Sequence, residues 1–117
     1  SVKMTTIKFF KDNEGYIYKV ECEGHTGYDH EGEDIVCAAL SSIVQTAVLG
    51  LFQVSKVSAD YKINEDTGYL RVVLPKKMTD KERHDSDVIL KTLLLGASDL
   101  YEGFSDYINL EVKDDVY

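Results

Sequence analysis

Tyr16-Ile17-Tyr18-Lys19-Val20-Glu21-Cys22-Glu23 leads through Gly24-His25-Thr26-Gly27-Tyr28-Asp29-His30-Glu31-Gly32-Glu33 into Asp34-Ile35-Val36-Cys37-Ala38-Ala39-Leu40-Ser41. The first segment alternates, with Tyr16, Tyr18, Val20 and Cys22 on one face and Ile17, Lys19, Glu21 and Glu23 on the other. That is the period of a half-buried strand. The second is a polar, acidic, glycine-bearing loop. The third opens a run to about Phe52 that is apolar on most of its circumference, and such a helix must be covered on more than one side. Asp34 is the expected N-cap, its side chain accepting from a backbone N–H two or three residues on. On that register Cys37 is the third helical residue.

Toward the N-terminus, Val2 to Phe10 alternates as a strand, and Asp12-Asn13-Glu14-Gly15 supplies the turn of an antiparallel hairpin. Toward the C-terminus, Val54 to Asn64 is a third strand, Glu65-Asp66-Thr67-Gly68 a hairpin turn, and Tyr69 to Leu74 a fourth strand closed by Pro75. Thr79 or Asp80 caps a second helix that ends near Gly103. Its apolar residues Ile89, Leu93, Gly96, Leu100 and Phe104, with Leu90, Leu94, Ala97 and Tyr101, fall at helical spacing. Tyr107 to Val112 adds a short last strand. The order β-β-α-β-β-α plus that strand predicts a single α+β domain over residues 1–117. Its architecture is a two-layer sandwich, an antiparallel sheet with two long helices on one face.

The 117 residues suffice to bury a core, and 44% hydrophobic with 29% charged is a globular balance. The N-terminus lacks the basic-then-apolar form of a signal peptide. Ser41, Ser42, Gln45 and Thr46 interrupt the most apolar region and argue against a membrane span. A net charge of −8 disfavours direct binding to nucleic acid or anionic lipid and suits basic partners such as ribosomal proteins. The two cysteines, Cys22 and Cys37, form no Cys-x-x-Cys motif. Free thiols in a reducing compartment, hence a cytoplasmic protein, are the expectation.

His25 and Cys37 lie twelve residues apart across the strand-loop-helix junction. A thiol near a helix N-terminus feels the positive end of the peptide dipoles, and an imidazole beside it can take its proton. Backbone N–H groups at the helix start can then hold an oxyanion. The plainer alternatives are a small buried Cys37 and a surface His25. His30 sits mid-loop with no rigid element to hold it, and His84, in Lys81-Glu82-Arg83-His84-Asp85, belongs to a solvated helix face. Asp34 either caps the helix or also orients His25. Directly beside the thiol it would oppose ionisation. Ser41 lies one turn after Cys37 on the same face and hydrogen-bonds in the site or to a backbone carbonyl. His25, His30 and Cys37 with nearby carboxylates match no zinc-ligand spacing, so no metal is assigned. Cys22 is core.

Gly24-His25-x-Gly27-Tyr28 followed by Gly32-x-Asp34-Ile35-Val36-Cys37-Ala38-Ala39-x-Ser41 resembles the signature of the ribosomal-processing cysteine protease family, Prp (YsxB-like). The likeness covers the whole chain in length and element order. It implies a cytoplasmic bacterial cysteine endopeptidase, without cofactor or metal. Such an enzyme removes the N-terminal extension of large-subunit ribosomal protein twenty-seven, cutting after paired phenylalanines. The family's catalytic pair falls on His25 and Cys37, with Asp34, Ser41 and Gly24 in support. Gly27, Tyr28 and Gly32 fall in a loop, Thr26 to Glu33, that is thought to move on peptide binding. A homodimer through the helices is also implied. The competing classes are a non-catalytic ribosome-assembly module of the same fold and a thiol redox sensor.

Overall fold

The computed structural model describes residues 4–24 and 31–114, with the side chains of residues 31–34 excepted. Its elements are β1 (Thr5–Lys11), β2 (Ile17–Glu23), α1 (Glu31–Gln53), β3 (Asp60–Asn64), β4 (Tyr69–Val73), α2 (Asp80–Gly103) and β5 (Ile108–Asp114). The strands form one sheet in the order β3-β4-β2-β1-β5.

The two hairpins pair antiparallel as their turn residues direct, with Gly15 and Gly68 both at positive φ (87° and 69°). The expected all-antiparallel sheet is corrected at one edge: β5 lies parallel to β1, Thr5 opposite Ile108. The reason lies in the connections. β2 to β3 and β4 to β5 are each bridged by a long helix, which returns the chain to its starting end and lays the next strand in the same sense. Both helices cover one face, so the two-layer α+β sandwich stands, with a mixed sheet.

The core joins Ile7 and Phe9 of β1, Ile17, Val20 and Cys22 of β2, Leu70 and Val72 of β4, and Ile108 of β5 to the inward stripes of the helices. Those stripes are Val36, Leu40, Val44, Ala47, Val48 and Leu51 on α1, and Leu90, Leu93 and Ala97 on α2. In β2 the expected phase is corrected: Ile17, not Tyr16 or Tyr18, shares the core with Val20 and Cys22. The register jumps from Phe10 opposite Lys19 to Lys11 opposite Ile17, leaving Tyr18 as the extra residue of a bulge. Asp87 of α2, buried, accepts the Ile17 N–H on Oδ1 at 3.0 Å and holds that end of the strand.

The start of α1 and the start of β3 also differ from expectation. α1 starts at Glu31, so Asp34 lies within the helix instead of capping it, and Gly32 is helical instead of in the loop. At the other end, Lys56 adopts φ 55° and the Val57 N–H reaches back to the Leu51 carbonyl at 2.9 Å. This closing bond, with Lys56 in the left-handed region, ends the helical run and uses up the residues expected to begin β3. For α2 the cap is Thr79, in a reciprocal box with Glu82. The segment Ile35–Gln53, mean hydropathy 2.1, is long and apolar enough to cross a bilayer by length and composition, and a third of it is buried within the fold.

Candidate active site

Cys37 is the seventh residue of α1, in its second turn, not the third residue as expected. In a regular helix its N–H belongs to the i→i−4 ladder, and the unpaired amides lie a turn earlier. The helix-end field also fades beyond the first turn. Neither an oxyanion hole at the Cys37 amide nor dipole activation therefore follows from its position, and an acid-base partner must supply the chemistry.

The half-buried Cys37 side chain points to the sheet. Its Sγ lies 2.8 Å from Oγ1 of Thr5, which opens β1 and is 4% exposed. The same Thr5 side chain lies 3.6 Å from where a Cβ on Gly24 would stand. Gly24 is itself fixed, since its N–H donates to the Gly68 carbonyl at 2.8 Å. Thr5 thus lies between Cys37 and the neighbourhood of Gly24, the residue that precedes His25 in the chain. His25, Gly27, Tyr28 and the rival His30 lie outside the described residues.

Thr5, Gly24 and Cys37 border an open cleft of about 340 Å³. Cys37, Ser41 and Gln45 form its helical wall, successive residues at four-residue spacing on one face of α1. Gln45 Nε2 donates to the Ser41 Oγ at 2.8 Å, tying two residues of that wall together. The opposite wall comes from the β3–β4 hairpin, including Ile63, Glu65 and Tyr69. Tyr69 donates its hydroxyl to Glu21 at 2.7 Å. Its pKa is raised, first by loss of solvation and then by that carboxylate.

Cys22 lies in the floor of the cleft, core as expected. Burial, and secondarily the neighbouring Cys37, push its thiol up from 9.0 to about 12. A thiol held that high is not a nucleophile near neutrality. Of the two cysteines in the cleft, only Cys37 remains a candidate.

Among the described residues, no group of three or more His, Cys, Asp or Glu side chains could hold a metal ion. His84 lies on an exposed helix face, its Nδ1 3.2 Å from Asp85, as its charged surroundings indicate.

The family model for cysteine protease Prp matches residues 4–109. The chain belongs to the cysteine protease Prp family. It is similar to the ribosomal processing cysteine protease Prp of Staphylococcus aureus, 24% identical over 110 residues, covering 94% of this chain and all of that one. The Bacillus subtilis Prp is 23% identical over 100 residues, covering 86% and 88%. A crystal structure from Streptococcus mutans (SMU.848) superposes with a TM-score of 0.86 at 26% identity, over 97% of both chains. The S. aureus Prp bound to a substrate peptide has the same fold, with a TM-score of 0.83 at 23% identity, over 94% of this chain and all of that one. As a Prp member the chain is a cysteine protease.

Thr5 and Gly68, with the cleft residues Gln45, Ile63, Glu65 and Tyr69, are not legible as site residues in the sequence. A threonine in an alternating strand carries no local signal for its partner in a helix 32 residues away. Gly68 was legible only as a turn glycine.

Proposed function

We propose that this Prp member processes a ribosomal protein, with Cys37 as nucleophile and His25 as its acid-base partner. The substrate we infer is the N-terminal extension of large-subunit ribosomal protein twenty-seven, cut after a pair of phenylalanines. The observation that carries this reading is that Cys37, its partner Thr5 and Gly24 line one open cleft. Gly24, which lines the same cleft as Cys37, precedes His25 in the chain. The Staphylococcus and Bacillus relatives carry ribosomal processing in their names, which supports the substrate class.

The Cys37 thiolate adds to the scissile carbonyl, and the tetrahedral intermediate collapses as His25 protonates the departing amine. A thioester to the N-terminal fragment remains. Water, deprotonated by His25, hydrolyses it and restores the thiol. Asp34 supports His25 within this scheme, Ser41 lines the cleft beside Cys37, and Gly27 and Tyr28 serve substrate entry. No cofactor takes part. A net charge of −8 favours a basic ribosomal peptide and disfavours nucleic acid or membrane surfaces. Two free cysteines suit the reducing cytoplasm.

A homodimer through the helices belongs to the same proposal. Between α1 and α2 runs an apolar groove of about 460 Å³ bordered by Ile43, Ala47, Gly50, Val88 and Gly96. Val88 on its border is about half exposed (51%), and burying such surface is the main driving force for association. Val88→Glu is expected to shift sedimentation equilibrium from dimer to monomer. A wild type that is monomeric at high micromolar concentration refutes the dimer.

The function is tested by incubating wild type, Cys37→Ala and His25→Ala with a peptide copying the ribosomal extension, and with one lacking the paired phenylalanines. Cleavage of the first peptide by wild type alone is expected. Cleavage of both peptides at equal rates refutes the proposed specificity.

A further inference from the structure

We propose that Thr5 is a positioning residue for the protease thiol, donating its hydroxyl hydrogen to Cys37 Sγ once that sulfur is ionised. The inference rests on Cys37 being the nucleophile. Among the described residues, Sγ is the partner of the Thr5 hydroxyl, at 2.8 Å. The threonine is 4% exposed, so water cannot readily replace that partner. Its backbone is fixed as well: the Thr5 N–H donates to the Tyr107 carbonyl at 2.9 Å, and Thr5 pairs with Ile108 in the β1–β5 ladder. A β-branched side chain on a fixed strand has a restricted χ1, so its oxygen is pre-aimed.

The direction of the bond follows from the protonation state. Against a neutral thiol either group can donate. A thiolate has no hydrogen to give, and the hydroxyl rotates to donate. Hydrogen bonds to charged groups are stronger than neutral ones, so the contact favours the ionised sulfur over the thiol. It also draws the sulfur toward the strand end shared with Gly24. A helical cysteine in the second turn gains little from the helix terminus, and this strand hydroxyl supplies part of what the terminus does not.

The test is the pH dependence of iodoacetamide alkylation at Cys37, with kcat/KM for peptide cleavage, in wild type, Thr5→Val and Thr5→Ser. Valine keeps shape and strand preference without the hydroxyl, and serine restores the donor. Thr5→Val is expected to move the alkylation midpoint about one to two pH units more alkaline and to lower kcat/KM at neutral pH roughly tenfold to a hundredfold. Thr5→Ser is expected to regain most of both. A purely structural threonine would lower the thermal midpoint and leave the pH midpoint in place. An unmoved pH midpoint in Thr5→Val, in an enzyme that still needs Cys37, overturns the proposal alone. Cleavage surviving in Cys37→Ala overturns the nucleophile assignment and the proposal with it.

Discussion

Asp87→Ala is expected to destabilise the fold more than most single substitutions on α2, for a reason that begins in β2. Ile17 is fully buried, and its N–H is donated to Asp87 Oδ1 at 3.0 Å, next to the bulge at Tyr18. Removing the acceptor leaves a buried donor unpaired, at a cost of about 1–3 kcal/mol. The other carboxylate oxygen pairs with Lys91 at 2.6 Å, but that lysine is about half exposed (48%). Solvent screening limits this second contribution to roughly 0–1 kcal/mol. The total is about 1–4 kcal/mol, or roughly 4–20 °C in thermal midpoint for a domain of this size. Asp87→Asn keeps a carbonyl oxygen for Ile17 and is expected to lose only about 1 kcal/mol. Urea denaturation of the three proteins, followed by circular dichroism at one pH, measures both. A loss below roughly 0.5 kcal/mol for alanine, or equal losses for both variants, refutes the assignment of the effect to the Ile17 donor.

Alkaline stability tests the environment of Cys22. Its folded thiol ionises at about 12 against 9.0 ordinarily, so the contribution is complete below pH 9 and is lost as pH rises through 12. Cys22→Ala is expected to flatten that decline, and an unchanged slope in denaturation midpoints across pH 8 to 11 counts against it. Thr79→Ala is expected to cost about 1 kcal/mol through loss of the capping box, with Thr79→Ser near wild type by thermal melting.

The hairpins and the start of α2 are legible in the sequence because local chemistry decides them: Gly15 and Gly68 at positive φ, and Thr79 with Glu82. The β2 bulge is not. Both phases of Tyr16 to Glu23 present apolar side chains, and the choice is made by pairing with β1 and by Asp87 from 70 residues away. The parallel β5 is equally silent, since Tyr107 to Val112 alternates the same way for either direction. At α1, Asp34 is a good cap residue overridden by a helix that starts earlier, and Lys56 takes a left-handed exit that favours glycine. The helical wall of the cleft, Cys37 and Ser41, could be read from four-residue spacing. Its strand wall could not, because Thr5 meets Cys37 only through tertiary packing.

Whether Cys37 carries the acyl group is most directly measured by rapid acid quench of enzyme mixed with the ribosomal peptide, followed by intact-mass and peptide mapping. The expected result is a transient thioester of the N-terminal fragment on Cys37, absent in Cys37→Ala, which also fails to cleave. An acyl adduct on any other residue, or full cleavage by Cys37→Ala, contradicts the proposed mechanism.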